Sequence, residues 1–419
     1  MTDTPLYYFD NNATTRVAPE VVEAMLPFLQ DQWGNASSAY RFGKQVARPL
    51  DEARARLAAL VNAEPREIVF TSCGTESNNA AIHSALVTNP GKRHIITTAV
   101  EHSANMNFGA HLQKMGFDVT CLPVESDGSL DIHLLDQSIR ADTAIVSIMW
   151  ANNETGVLFP IEEIAAICRS RGVLFHTDAV QVAGKIKIDV KATTVDFLSL
   201  SAHKLHAPKG IGALYIRRKT RFHPYIIGGH QERGRRAGTE NVPYIVGFGR
   251  AAELAMSKLS EENTRVRALR DRLENTILKT IPHTFRNGDK ENRLPNTSNM
   301  AFDFVEAEAI LTMLDQLGIC ASSGSACTTG STEPSHVLSA MKVHPRRARG
   351  SIRFSVGIYN TDAEVDYVLR HLPGLIEKLR TISPLSPEHP DNDRFDPRAP
   401  RPAHQHDKED EEDREPIPR

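Results

Sequence analysis

The sequence predicts an α/β protein in which a mostly parallel sheet is followed by a second, smaller α/β domain. Between about residues 67 and 218, short apolar runs alternate with amphipathic segments, as strands and helices do in such a sheet. After about residue 256 the pattern changes to a long charged helix, a strand, a helix and another strand. The chain has 419 residues, so two packed domains and a tail are expected.

Six apolar runs are the predicted strands of the larger domain. They are residues 68–70, 94–97, 144–149, 173–175, 195–200 and 211–216. One intervening helix is well marked, because Ile161, Ile164 and Cys168 recur at helical spacing. Gly172 follows this apolar stripe and is the expected stop of the helix. Its place on the stripe predicts that Cys168 is a core thiol.

The predicted smaller domain begins with a helix whose apolar face carries Val266, Leu269, Leu273 and Ile277. Strand 298–305, helix 306–317 and strand 351–355 are expected to follow. The last helix is predicted to begin at Thr361, because Glu364 three residues later completes a capping-box pattern. The expected division is an N-terminal segment joining the small domain (1–15), a large domain (16–255), a small domain (256–382) and a disordered charged tail (383–419).

Composition excludes several classes of function. Hydrophobic residues make up 40% and charged residues 24%, which is ordinary for a soluble globular protein. A net charge of -3 gives no general attraction for nucleic acid or an anionic membrane. No stretch approaches the ~20 apolar residues of a membrane span, and no signal-peptide pattern opens the chain, so we expect a cytoplasmic protein. Five scattered cysteines without a CxxC pair predict neither a disulfide framework nor a metal site.

Three polar segments follow predicted strands, where open α/β sheets bind ligands. Lys204 comes after the fifth strand, although a lone lysine there is more often a surface residue. Asp178 comes after the fourth strand and suits a protonated pyridinium nitrogen, although aspartate there is also a common helix N-cap. Residues 71–78 lead into an alanine-rich helix and form a candidate anion cradle for a phosphate, without the Walker pattern.

Cys327 differs from the other cysteines in its surroundings. It lies in a small, polar segment, residues 321–331, which predicts an exposed and mobile loop. Cys121, Cys168 and Cys320 lie in apolar or secondary-structure contexts, where a free cysteine usually acts as a small hydrophobe. The context alone leaves open whether Cys327 is reactive.

Seven ordered motifs within residues 7 to 380 resemble those of the cysteine desulfurases. They are DNNATT (10–15), EH (101–102), ANNETG (151–156), FHTDAVQ (175–181), SAHKLHAPKG (201–210), RRAGTEN (235–241) and SSGSAC (322–327). Residues 150–156 and 205–210 resemble the nitrogen-fixation type, NifS, which supplies sulfur for iron–sulfur clusters. Ala202 and Ala207 stand where many members carry glycine, so the turn around Lys204 is expected to be tighter.

The resemblance implies a fold-type I enzyme that binds pyridoxal 5'-phosphate on a mostly parallel seven-stranded sheet. Lys204 would form the Schiff base, His102 would stack on the ring and Asp178 would hold its nitrogen. The other implied cofactor ligands are Asn153 and Gln181 near the phenolic oxygen, Gly74, Thr75, Ser201, His203 and Thr239 around the phosphate, and Ala202 beside Lys204. Thr239 would come from the partner subunit of a homodimer. Arg353 would clamp the substrate carboxylate, with Asn12 and Asn153 nearby.

The implied reaction converts L-cysteine to L-alanine and leaves the sulfur on Cys327 as a persulfide. Lys204 would move the Cα proton and His102 would act as an acid or base. An iron–sulfur scaffold protein, with a nitrogenase-related role, is the expected sulfur acceptor. Two alternatives share the cofactor residues, namely an aminotransferase and a selenocysteine lyase, and a third is a non-catalytic sulfur carrier. Cys327 discriminates against a transaminase, which has no use for a loop thiol.

Overall fold

The computed structural model describes residues 5–323 and 335–384. The strands in this part of the chain are β1 (Tyr7–Tyr8), β2 (Ile68–Thr71), β3 (His94–Thr98), β4 (Asp118–Leu122), β5 (Thr143–Ser147), β6 (Leu174–Asp178), β7 (Phe197–Ser201), β8 (Gly212–Ile216), β9 (Thr284–Arg286), β10 (Thr297–Phe302), β11 (Ile319–Cys320) and β12 (Ser351–Ser355).

The helices in the same ranges are α1 (Pro19–Gln30), α2 (Arg41–Lys44), α3 (Ala47–Leu60), α4 (Gly74–Thr88), α5 (Ser103–Lys114), α6 (Ile132–Ser138), α7 (Ile161–Ser170), α8 (Val190–Thr193), α9 (Val242–Glu261), α10 (Arg267–Thr280), α11 (Ala307–Gln316), α12 (His336–Ala340), α13 (Pro345–Arg349) and α14 (Asp362–Ile382). A π-helical turn, Glu262–Val266, joins α9 to α10. None of these helices is both long enough and apolar enough to cross a membrane.

The larger sheet has seven strands in the order β2-β8-β7-β6-β5-β3-β4. Strands β4, β3, β5, β6 and β7 pair in parallel, whereas β8 runs antiparallel to both of its neighbours. Both faces are covered, because neighbouring residues such as Ile145 and Val146 enter different apolar clusters on opposite sides. This arrangement confirms the predicted fold class.

Most predicted elements are present, with shifted ends. Helix α7 matches the expected apolar stripe, Cys168 on it is 1% exposed, and Gly172 follows it with a φ of 64°. Strand β4 was missed, because this edge strand exposes Cys121 and lacks a continuous apolar run. Cys121 thus lies in secondary structure, as predicted, but it is exposed and does not act as a buried small hydrophobe.

The second sheet is antiparallel and has the order β12-β10-β9. Helices α10, α11 and α14 cover it. The four residues of the predicted apolar face are all buried, Val266 at the end of the π-helical turn and Leu269, Leu273 and Ile277 on α10. Thr361 caps α14 in the expected capping box with Glu364. Strand β1 pairs with β11, and Phe9 packs in the core of this second sheet. The two sheets thus have separate apolar cores, and the division into domains stays a prediction. Of the predicted tail (383–419), residues 385–419 lie outside the described residues.

Candidate active site

Strands β6, β7 and β2 bring three polar segments to one edge of the larger sheet. Asp178 is the last residue of β6, and a short 3-10 turn ending at Lys204 follows β7. Helix α4 begins at Gly74, three residues after β2 ends. Because these three strands point in the same direction, their carboxyl ends meet. The strand-end positions predicted from the sequence therefore converge on one site.

The carboxylate of Asp178 is buried and held by two donors. Its Oδ2 accepts a hydrogen bond of 2.7 Å from Nδ2 of Asn78, and its Oδ1 accepts one of 3.0 Å from the backbone N–H of Val180. Asp178 ends a strand and stabilises the following turn, so it is not the N-cap of a helix. The two bonds fix the carboxylate at the sheet edge as a partner for a protonated ring nitrogen.

The amine of Lys204 lies between backbone carbonyl groups and is close to other positive charges. Its Nζ donates hydrogen bonds to the backbone carbonyls of Asn12 and Ala13, the latter at 2.6 Å. Burial, helped by the positive charges of Arg353 and Lys185, lowers the pKa of Lys204 to about 7. A large fraction of this amine is thus uncharged near neutral pH, as a nucleophile or a general base requires.

His102 lies at the start of α5 in the same electrostatic environment. Its Nδ1 accepts a hydrogen bond of 3.1 Å from the backbone N–H of Ala104, so His102 caps the helix. Burial is the main cause that lowers the pKa of His102, while the charge of Asp178 opposes the shift and that of Lys204 adds to it. The imidazole is therefore favoured in its neutral form, close to both strand-end residues.

The start of α4 lies against the end of β7. A Cβ atom on Gly74 would lie 2.9 Å from Cγ2 of Val180 and 3.6 Å from Cβ of Ser201. The first-turn N–H groups of a helix, here those of Gly74 and Thr75, have no acceptor within the helix and favour an anion. Ser201 is buried beside them. This corner has the composition of a phosphate site.

The remaining predicted cofactor residues differ in position. Burial lowers the pKa of His203 to about 4, and its Nδ1 lies 3.1 Å from Oγ1 of Thr14. Ala202 is fully buried, and its N–H donates to the backbone oxygen of Ile211. Thr239 is exposed. It forms no hydrogen bond to the other predicted cofactor residues in the described part of the chain.

Gln181 and Asn12 connect the strand end to the N-terminal segment. Nε2 of Gln181 donates to the carbonyl of Asn12 at 3.1 Å, whereas its buried Oε1 has no hydrogen-bond partner in the described structure. Nδ2 of Asn12 donates to the carbonyl of Asn153 at 3.2 Å. The three predicted residues thus meet, and Gln181 retains an unused acceptor.

Arg353 is 2% exposed, although β12 is an edge strand, so it is not a surface residue. Its Nη2 pairs with Oδ1 of Asp10 at 2.7 Å, and its Nη1 donates to the carbonyl of Asn153 at 2.9 Å. Its Nε is buried and has no acceptor among the described residues. The guanidinium is therefore oriented by two partners and keeps one free donor.

Cys327 lies outside the described residues. The chain just before that segment runs beside Arg353, because Ser322 and Arg353 exchange two backbone hydrogen bonds of 2.6 and 3.2 Å. Among the other cysteines, burial raises the pKa of Cys168 to about 12, as expected for an inert core thiol.

Sequence reasoning missed the residues that support the site. Asn78 holds Asp178, although it lies in the segment 71–78 that was predicted only as an anion cradle. Glu101 is fully buried with a pKa raised to about 7 by burial, and it accepts a hydrogen bond of 3.0 Å from the backbone N–H of Met149. Its backbone oxygen lies 2.9 Å from Nε2 of His336, so two chain segments fix the position of the residue before His102.

The fold and this site define a member of a known class. The chain belongs to the aminotransferase class-V family, whose model matches residues 7–368. It is 55% identical over 377 residues to a cysteine desulfurase of Nostoc sp., covering 90% of this chain and 94% of the relative. It is 54% identical over 378 residues to the cysteine desulfurase NifS of Azotobacter vinelandii, with the same coverage. A solved structure of a NifS-like protein superposes with a TM-score of 0.84 at 39% identity, covering 90% of this chain and 100% of that one.

Proposed function

We propose that this protein is a cysteine desulfurase, which uses pyridoxal 5'-phosphate to convert L-cysteine to L-alanine and transfers the sulfur to one of its own cysteines. The similarity to cysteine desulfurases over 90% of the chain supports this reaction. The observation that carries it is that Lys204, whose amine has a pKa of about 7, lies close enough to the buried carboxylate of Asp178 for that charge to act on the amine.

The residues present fit the cofactor. Asp178 would hold the ring nitrogen, and the side-chain amide of Gln181, whose Oε1 has no partner among the described residues, would lie near the phenolic oxygen. The start of α4, together with Ser201 and His203, would hold the phosphate. When bound, pyridoxal phosphate supplies an electron sink for the pair of electrons released at the substrate Cα. His102 would lie against its ring.

The protein's own side chains would bind the substrate and move its protons. The free Nε–H of Arg353 would donate to the substrate carboxylate, while Asp10 keeps the guanidinium in place. Asn12 and Asn153 lie beside this position. The uncharged amine of Lys204 would take the Cα proton, and neutral His102 would accept or return a proton at the thiol.

Cys327 is proposed as the sulfur acceptor because of the sequence motif in which it lies. Its thiolate would attack the substrate sulfur, so that a new S–S bond forms while the substrate C–S bond breaks. The carbon skeleton would then take up a proton and leave as alanine. We further propose that the enzyme is a cytoplasmic homodimer, that Thr239 completes the partner's phosphate site, and that an iron–sulfur scaffold protein, nitrogenase-related, takes the sulfur.

Two variants test this function. Lys204→Ala should abolish alanine formation from L-cysteine and remove the visible absorbance that covalently held cofactor gives after dialysis. Cys327→Ala should keep that absorbance and lose the persulfide. Unchanged sulfide release by Cys327→Ala would refute the role of this thiol. A transaminase would instead consume an amino acid and a keto acid without sulfide, and a strict selenocysteine lyase would leave cysteine unchanged.

A further inference from the structure

A cavity of about 170 Å³ borders Lys204. Asp178, His102 and Gln181 do not line it, although Lys204 borders both spaces. Its floor includes Lys185 and Glu262, and its rim carries exposed side chains of Glu20, Lys258 and Tyr359. The cavity is therefore a second space, open to solvent between the two sheets.

Two oppositely charged side chains are buried in this cavity without contacting each other. Lys185 is 5% exposed and Glu262 is 6% exposed. Within the described part of the chain, neither forms an ion pair, and Oε2 of Glu262 has no hydrogen-bond partner. Burial raises the pKa of Glu262 to about 7 and lowers that of Lys185. Charges enclosed in this way are costly unless a partner neutralises them.

The backbone holds the two residues in place. Asn263, the neighbour of Glu262, donates from Nδ2 to the backbone oxygen of Lys185 at 2.8 Å. Glu262 opens the π-helical turn that joins α9 to α10, and such turns often mark functional positions. The backbone positions of Lys185 and Glu262 are thus fixed relative to each other at the junction between α9 and α10.

We propose that this cavity binds a small zwitterionic α-amino acid, whose carboxylate pairs with Lys185 and whose ammonium group pairs with Glu262. The cavity far exceeds the ~10–15 Å³ that one water needs, so a molecule of several non-hydrogen atoms fits. Ala18, Ala183 and Leu254 contribute apolar wall, which suits a short apolar side chain. If the proposed function holds, its product, L-alanine, is the expected ligand.

Crystals of the cofactor-loaded protein soaked in L-alanine test the site directly. Alanine is expected between Lys185 and Glu262, in the stated orientation. Water alone in that cavity, or alanine only at the cofactor site, would overturn the inference and leave the proposed desulfurase function intact. Alanine in the cavity of a protein without desulfurase activity would support the inference and count against the proposed function.

Calorimetric titration tests the same site in solution. Lys185→Met and Glu262→Gln should each weaken binding of L-alanine to the second site at least about tenfold, because each removes a charge-assisted bond. Lys258→Met at the rim is the matched control and should leave the affinity unchanged. N-acetyl-L-alanine and L-alaninamide should bind as weakly as the variants. Binding seen only at soaking concentrations would contradict the proposal. If either variant fails to fold, the alanine soak of the wild-type crystals still decides whether the cavity binds alanine.

Discussion

At the scale of single residues, the chemistry of the site comes from its surroundings more than from residue types. Lys204 is an ordinary lysine whose ammonium form is disfavoured by burial and by the charges of Arg353 and Lys185. Asp178 is an ordinary aspartate whose orientation depends on Asn78. Each of these neighbours comes from a different part of the chain.

The altered acidity of Lys204 is measurable in cofactor-free protein. Its acylation rate should reach half of its maximum near pH 7, because the uncharged amine is the reactive form. Arg353→Met should move this half-point to higher pH, because it removes a cation that repels the ammonium form. Mass spectrometry of the digested protein measures both, with exposed Lys279 as the internal reference. A half-point above pH 9 would contradict the stated environment of Lys204.

Asn78→Ala should weaken cofactor binding about tenfold or more. The change removes a 2.7 Å hydrogen bond to the carboxylate of Asp178, and a bond to a charged group contributes ~1.5–3 kcal/mol. Fluorescence titration with pyridoxal phosphate measures the affinity. Asn89→Ala, at the other end of the same helix, is the control and should bind the cofactor normally. Equal affinity of the two variants would show that Asn78 does not position Asp178.

At the scale of elements, the site depends on the close approach of α4 to the strand ends. Only a residue without a Cβ fits at Gly74, because a Cβ there would lie 2.9 Å from Val180. Gly74→Ala should displace the start of α4 and weaken phosphate binding, at a cost of ~1–3 kcal/mol for the added methyl group. Gly91→Ala is the matched control, because a Cβ at Gly91 would meet nothing within 4 Å. Similar cofactor affinities for both variants would contradict the proposal that the start of α4 binds the phosphate.

The sequence predicted the positions of Asp178 and Lys204 because a strand end is a local feature, visible as an apolar run followed by polar residues. It could not predict what surrounds them. The pairing of Arg353 with Asp10 joins residues 343 positions apart, and the role of Asn78 depends on which helix face meets the sheet. Strand β4 was missed for a related reason, since an edge strand does not need a continuous apolar run.

At the scale of the whole molecule, the site lies between a large, mostly parallel sheet and a smaller antiparallel one. The larger sheet encloses His176, which has Ser147 and Ser199 as hydrogen-bond partners and a pKa lowered by burial to about 3. This histidine binds its proton only in the unfolded chain between about pH 3 and 6.5. Stability should therefore be fully present above pH 6.5 and fall as the pH drops through this window.

His176→Asn should make that acid sensitivity weaker. Removing one such group should reduce the slope of the free energy of unfolding against pH by up to ~1.4 kcal/mol per pH unit within the window. Urea unfolding at several pH values measures the slope. The exposed His133→Asn serves as control and should keep the wild-type slope. An unchanged slope in His176→Asn would show that His176 is not the group responsible.

The most direct test of the central claim is a single turnover with sulfur-labelled L-cysteine. The protein, loaded with pyridoxal phosphate and freed of reductant, should yield one alanine per active site and carry the labelled sulfur on Cys327, located by mass spectrometry of its peptides. Pyruvate in place of alanine, or labelled sulfur on Cys121 or Cys320 with none on Cys327, would contradict the account.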